Sequence, residues 1–190
     1  MSNKISQTKN SNAGDVIGKN KYVYNFNFQN IGSMKNQIEQ IYDDLLSNCE
    51  GECSGFLEEM KEFNTRYNDD KEVLGLEEKL KKGDRSDQYK FAMRTKEKFM
   101  KLILKSEYSE SKQELLIILL DFVLCEFESK IYPEVCSNQS HERIFIENLI
   151  TNYIVLPIEK ILGDNILKIR RQDIYGMIYY LTGNCHIKWD

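Results

Sequence analysis

Apolar and polar positions change their spacing near residue 30. Between 22 and 29 they alternate strictly. Tyr22, Tyr24, Phe26 and Phe28 fall on one face of an extended chain, and Val23, Asn25, Asn27 and Gln29 on the other. The alternation predicts a strand with one aromatic and one amide face. Upstream, Gly14-Asp15 and Gly18 occupy turn-forming positions, where a residue without Cβ accepts positive φ at no steric cost. Residues 4–29 therefore read as a short strand or hairpin. Four aromatic rings on one face need cover, because such a strand is not stable alone. Two covers fit equally. The strand lies on the edge of the chain's own body, or it is shared with another copy, where Asn25 and Asn27 stack as hydrogen-bonded ladders.

From Ser33 the period becomes helical. Ser33 is a candidate cap for a helix with Ile38, Ile41, Tyr42, Leu45 and Leu46 along one stripe. Gly51 and Gly55 interrupt it, and Phe56, Leu57, Met60, Phe63 and Tyr67 mark a second helix. A third, around Val73 to Leu80, closes at Gly83. Asp84 or Ser86 starts a long helix through Met93, Phe99 and Ile103. Ser109 or Ser111 starts the next, which is apolar nearly all round at Leu115–Leu120 and so is expected at the centre. Tyr132-Pro133 is expected to end it. Ser140 is expected to cap a helix that Pro157 kinks or divides and Gly163 ends. Asn165 to Leu181 reads as a last amphipathic helix, followed by an alternating tail, 185–190, as a short strand or extended arm. The expected class is mainly α: an irregular helical bundle with an N-terminal strand segment and a possible short C-terminal strand. The natural division is 1–32, a β-forming assembly segment, and 33–190, a helical domain.

Charge adds a block structure to this outline. The net of −4 hides about +4 over 1–35, −9 over 36–80, +6 over 81–105 and −5 beyond. Lys81, Lys82, Arg85, Lys90, Arg94, Lys96, Lys98, Lys101 and Lys105 make 81–105 a candidate phosphate-neutralising segment, with Lys90, Arg94, Lys98 and Lys101 as expected contacts. Asp84, Asp87 and Glu97 interrupt it, and Arg170-Arg171 adds a second small patch. The paired carboxylates Asp43-Asp44, Glu58-Glu59 and Asp69-Asp70 read as exposed helix surface or caps.

Catalytic and ligand patterns are missing. There is no phosphate-binding glycine loop, no GxGxxG before a helix and no HExxH. Two histidines and five cysteines in no framework spacing give no zinc set; free thiols of a reducing cytoplasm are the simpler reading. Cys185-His186 are neighbours in an extended tail, so their side chains diverge and His186 is no base for Cys185. Ser109 and Lys112 match S-x-x-K without its companion motifs. No cofactor, metal site or enzymatic activity is expected. No secretory leader is recognisable, and the longest apolar run, Leu115–Leu120, is too short to span a bilayer, so a cytoplasmic, non-membrane location is expected.

The stretch with ISQT at 5–8 and NAGDVIGKNK at 12–21 resembles a Q-x-N-x-x-A-G-D-x-x-G-x-D/N-K segment, and the ending GMIYYLTGNCHIKW at 176–189 looks like a domain close. Both resemble the segment and the helical C-terminal domains found in bacterial ABC three-component conflict systems. The resemblance implies a domain that docks an effector onto a middle component and an SMC/ABC-type ATPase that senses invading DNA. It carries no catalytic residues. With no effector-sized region before the segment, the expectation is a free-standing, homo-oligomeric adaptor of an antiphage or mobile-element defence system. The β element 4–29 would be shared between copies. The alternative is a helical nucleic-acid-binding module using 81–105.

Overall fold

A computed structural model describes residues 28–47, 55–65, 74–137 and 143–190. Nine α-helices lie among the described residues: α1 Phe28–Ser47, α2 Glu58–Asn64, α3 Leu76–Lys82, α4 Tyr89–Lys105, α5 Glu110–Glu126, α6 Tyr132–Val135, α7 Arg143–Ile150, α8 Leu156–Ile161 and α9 Arg171–Gly183. No strand occurs among them. The expected strand residues Tyr22, Tyr24, Asn25, Phe26 and Asn27, the turn at Gly14, Asp15 and Gly18, and the Ser140 cap lie outside the described residues.

The first helix begins earlier than its cap signal. Phe28 and Gln29 open α1 instead of closing a strand, and Ser33 lies inside the helix. The physical reason is that the helical stripe already runs through Ile31, Met34, Ile38, Ile41 and Tyr42, spaced by three, four, three and one. Met34, Ile38, Ile41 and Tyr42 are buried against α5 and α8, and Ile31 packs at the edge of the same cluster. Tertiary burial of the stripe outweighs the capping preference of a single serine.

The two prolines neither end nor divide their helices. α5 starts where its cap predicts, with the Ser109 hydroxyl accepting from the Lys112 N–H at 3.3 Å. It then passes through a π-helical segment, Phe127–Ile131, into α6, which carries Pro133 in its first turn. The same device joins α7 to α8. The π segment Thr151–Val155 leads straight into Leu156 and Pro157. A proline ring collides with the carbonyl four residues back, here Ser129 and Tyr153, and has no N–H to give it. Both carbonyls lie within the wider π turns, which make room for the ring and let the helix continue.

The centre of the fold is the crossing of α4 with α9 rather than α5 alone. In α9 every residue from Gly176 to Gly183 is buried. An amphipathic reading of this helix fails because its second face is also covered, by tyrosines whose hydroxyls find partners. Tyr179 donates to Gln88 Oε1 at 3.1 Å, and Tyr180 to Asn64. The crossing is close because Gly176 meets α4 backbone to backbone. A Cβ there would stand 2.5 Å from the Thr95 carbonyl oxygen and 2.8 Å from Phe99 Cβ.

α9 also starts six residues after its predicted start. Asn165 takes a left-handed φ of 47°, and its side-chain amide spans Ile169, accepting from the N–H at 2.8 Å and donating to the carbonyl at 2.7 Å. Those local bonds replace helical ones. The chain stays irregular until Arg170, whose N–H donates to the Asp173 carboxylate at 2.8 Å. After α9 comes an extended arm, not a strand. Ile187 and Trp189 point inward while Lys188 and Asp190 face out.

Candidate functional site

The exposed face of α4 is rich in positive charge, with Glu97 the acidic residue of the helix. Lys90, Arg94, Lys98, Lys101 and Lys105 follow one another at intervals of three or four residues, and all five are exposed. The opposite face, with Ala92, Thr95, Phe99 and Ile103, is buried against α9 and its neighbours. So the burial of one apolar stripe places the five cations together. Beside the C-terminal half of α4 runs a groove of about 290 Å³, between Lys98, Lys101, Leu102 and Lys105 on one wall and Leu167, Lys168 and Arg170 on the other.

Its single carboxylate, Asp173, is buried and already engaged by Lys98 Nζ at 2.8 Å and by the Arg170 N–H. Arg94 lies over the Phe91 ring, 5.6 Å from its centroid. Lys168 joins this wall from a left-handed turn 63 residues after Lys105 in sequence. Chain-local charge gives no signal for it.

The expected contacts Lys90, Arg94, Lys98 and Lys101 therefore share one face, although Lys98 is partly occupied. Other cations of the basic segment serve the fold. Arg85 is buried, with Nη1 2.7 Å from Glu147 Oε1 and its guanidinium 4.3 Å from the Trp189 ring centroid. Lys79, just before that segment, is buried as well and donates to the Thr182 carbonyl at 2.7 Å. Lys96 runs along α9 at Gly183. Arg171, half of the Arg170-Arg171 patch, is bidentate to Glu159 at 2.6 and 2.9 Å, which holds that carboxyl below its ordinary range.

A second groove, about 460 Å³, separates α1 from α5 and carries the opposite charge. Asp44, Glu59, Glu110 and Glu114 rim a floor that includes Ile41 and Ile117. Burial raises the Glu114 pKa, and the charges of Glu110, Asp44 and Glu59 raise it further.

Residue pairs that suggested chemistry have structural roles where they are described. Ser109 of the S-x-x-K match is the α5 cap. His186 sits half-buried with Nε2 3.2 Å from the Phe63 carbonyl oxygen, which only accepts, so Nε2 carries the proton. Burial pushes the His186 pKa down, and nearby Lys79 adds to that. Among the described residues no group of three or more His, Cys, Asp or Glu is placed to hold a metal ion. No described helix is long and apolar enough to cross a membrane.

Comparison with known families adds one match. The model of C-terminal domain 9 of the ABC-three component (ABC-3C) systems matches residues 75–189. It opens at Gly75, the residue before α3, and ends at Trp189, so it takes in α4, α9, the basic face and the C-terminal arm. Searches of curated proteins and of solved structures gave no match.

Proposed function

The chain belongs to the C-terminal domain 9 family of ABC-three component systems, and we propose that it acts there as a non-enzymatic adaptor in antiphage or mobile-element defence. In this reading the helical body docks a protein partner, an effector or an SMC/ABC-type ATPase. Residues 4–27 bring copies of the chain together through the aromatic and amide faces around Tyr22–Asn27, and the protein works in the cytoplasm.

The family match over 75–189 is the observation that carries the reading. Two features support it. Several side chains with catalytic potential serve the fold: Ser109 as a cap, His186 against Phe63, Lys79 on the Thr182 carbonyl and Arg85 with Glu147. In addition, the groove between α1 and α5, acidic at its rim and apolar on its floor, gives the body a face suited to a protein partner.

The test is mass in solution, followed by co-purification. Full-length protein is expected to be oligomeric, and a variant lacking residues 1–27 monomeric. Both should retain a tagged ATPase or effector from the same system when co-expressed. A full-length monomer would overturn the shared β element. Failure of both proteins to co-elute with either partner would overturn the adaptor role.

A further inference from the structure

The face formed by α4 and the 167–170 loop has more positive charge than the fold needs. Five cations on α4 and two on the loop stand against Glu97 and the already engaged Asp173. Among the described residues Lys101, Lys105 and Lys168 have no carboxylate partner. At about 100° per residue, Lys90, Arg94, Lys98, Lys101 and Lys105 fall within an arc of about 80° and extend over about 22 Å of helix axis. A stripe this long faces several successive phosphates, since a duplex strand presents one per about 3.4 Å.

We propose that this face binds the phosphodiester backbone of duplex DNA without regard to sequence. Composition favours phosphate over an acidic protein surface. Lysine is depleted from protein interfaces, which rely on apolar and aromatic anchors. This groove offers only Leu102 and Leu167 between its cations, and both are half-buried. The cations also lack the fixed bidentate geometry that reads base edges, because most are flexible lysines and Arg94 is held on Phe91. Contacts of this kind position a duplex and leave its sequence unread. The inference does not depend on the adaptor reading, since either holds without the other.

The test is fluorescence anisotropy of the full chain with a labelled 20-base-pair DNA duplex across a salt series. Neutralisation of about four phosphates gives a log–log salt slope near −4 and roughly hundredfold weaker binding from 50 to 200 mM salt. Lys101→Gln, Lys105→Gln and Lys168→Gln together should lower the slope by about three and weaken low-salt binding at least tenfold. The matched triple Lys35→Gln, Lys61→Gln and Lys130→Gln should change neither. Equal urea midpoints for the two triples establish that both are folded.

Two duplexes of unrelated sequence should bind alike. Absence of binding at 50 mM salt overturns the proposal, as does an unaffected groove triple. Equal binding of poly-glutamate would make the face a general acid receptor and overturn the phosphate assignment. Tighter binding of an RNA duplex would overturn DNA as the ligand. Loss of binding on deleting residues 1–27, with the groove triple unaffected, would transfer the activity to the N-terminal lysines.

Discussion

α4, α9 and the C-terminal arm differ from α1 in how they are held. The first group meets at fixed points. Gly176 lies on the Thr95 carbonyl. Gly83 faces Trp189, where a Cβ would come 2.6 Å from the tryptophan Cβ, and the Trp189 indole donates to Thr182 Oγ1 at 3.1 Å while Arg85 covers its ring. α1 lies on α5 and α8 through an apolar stripe, pinned by one buried bond from Tyr42 to the Leu162 carbonyl at 2.9 Å. Burial pushes that phenol up to about 12. Stripe contacts are non-directional and accept any side chain of suitable volume, whereas backbone contact at a glycine accepts one residue. The family match spans the first group and stops short of the second. The part with position-specific geometry is thus the part a family description captures.

That contrast is broken most severely at Gly176. Gly176→Val should cost about 4–5 kcal/mol or prevent folding, because the obstacle is carbonyl backbone and α4 must move as a unit. Urea unfolding measures it, and a cost below about 1 kcal/mol would show that the crossing is as adaptable as the α1 stripe. Next comes Trp189→Ala. It removes a buried ring, its bond to Thr182 and the cover of the Arg85–Glu147 pair, and should cost about 3–5 kcal/mol. Loss of the T-shaped contact with Phe127, 5.0 Å between centroids, belongs to the same effect.

In α1 the corresponding probe is Ile38, which is almost fully buried. Ile38→Leu keeps the volume and should cost less than about 1.5 kcal/mol, while Ile38→Ala should cost about 2–5 kcal/mol. The difference between these two substitutions is the sharper measurement. A helix held by volume alone tolerates the first and not the second. If Ile38→Leu costs as much as Ile38→Ala, α1 is fitted as tightly as α9 and the distinction fails.

Several local signals in the sequence are readable directly. Ser109 caps α5, Gly163 closes α8 with φ at 51°, and Leu115–Leu120 lies in the core, all as short-range pattern predicts. Misreadings have long-range, compensated or competing local causes. Arg85 reads as one cation among nine, but its fate is decided by Glu147, 62 residues away, and by Trp189. Pro133 reads as a stop and Pro157 as a kink or division, but π turns upstream absorb them. Asn165 reads as helical because its neighbours keep a helical period, yet its own amide satisfies Ile169. Of the basic face, the α4 stripe was legible from spacing. The wall supplied by Lys168 was not, since only the fold brings it to α4.

His186 belongs to the arm, joins it to α2 and provides the mildest test. The arm holds α2 through Asn184, which donates to the Phe63 carbonyl at 2.9 Å, through the His186 Nε2–H on the same oxygen, and through edge-to-face contact of the Phe63 and His186 rings at 5.8 Å. Burial disfavours the charged imidazolium in the folded chain and lowers its pKa below the ordinary 6.5. As pH falls through 6.5 the unfolded chain takes up a proton that the folded chain resists, so stability declines and levels off only below the lowered folded pKa. Glu114, Glu126 and Glu128 act in the other direction. Burial raises their pKa values, so acidification relieves them as pH falls through the raised folded values towards the ordinary 4.5. Between pH 7.5 and 5.5 the urea midpoint should therefore drop in the native chain and stay flatter in His186→Gln. An identical drop in both would locate the titration elsewhere and leave α2 attached to the arm by Asn184 and packing alone.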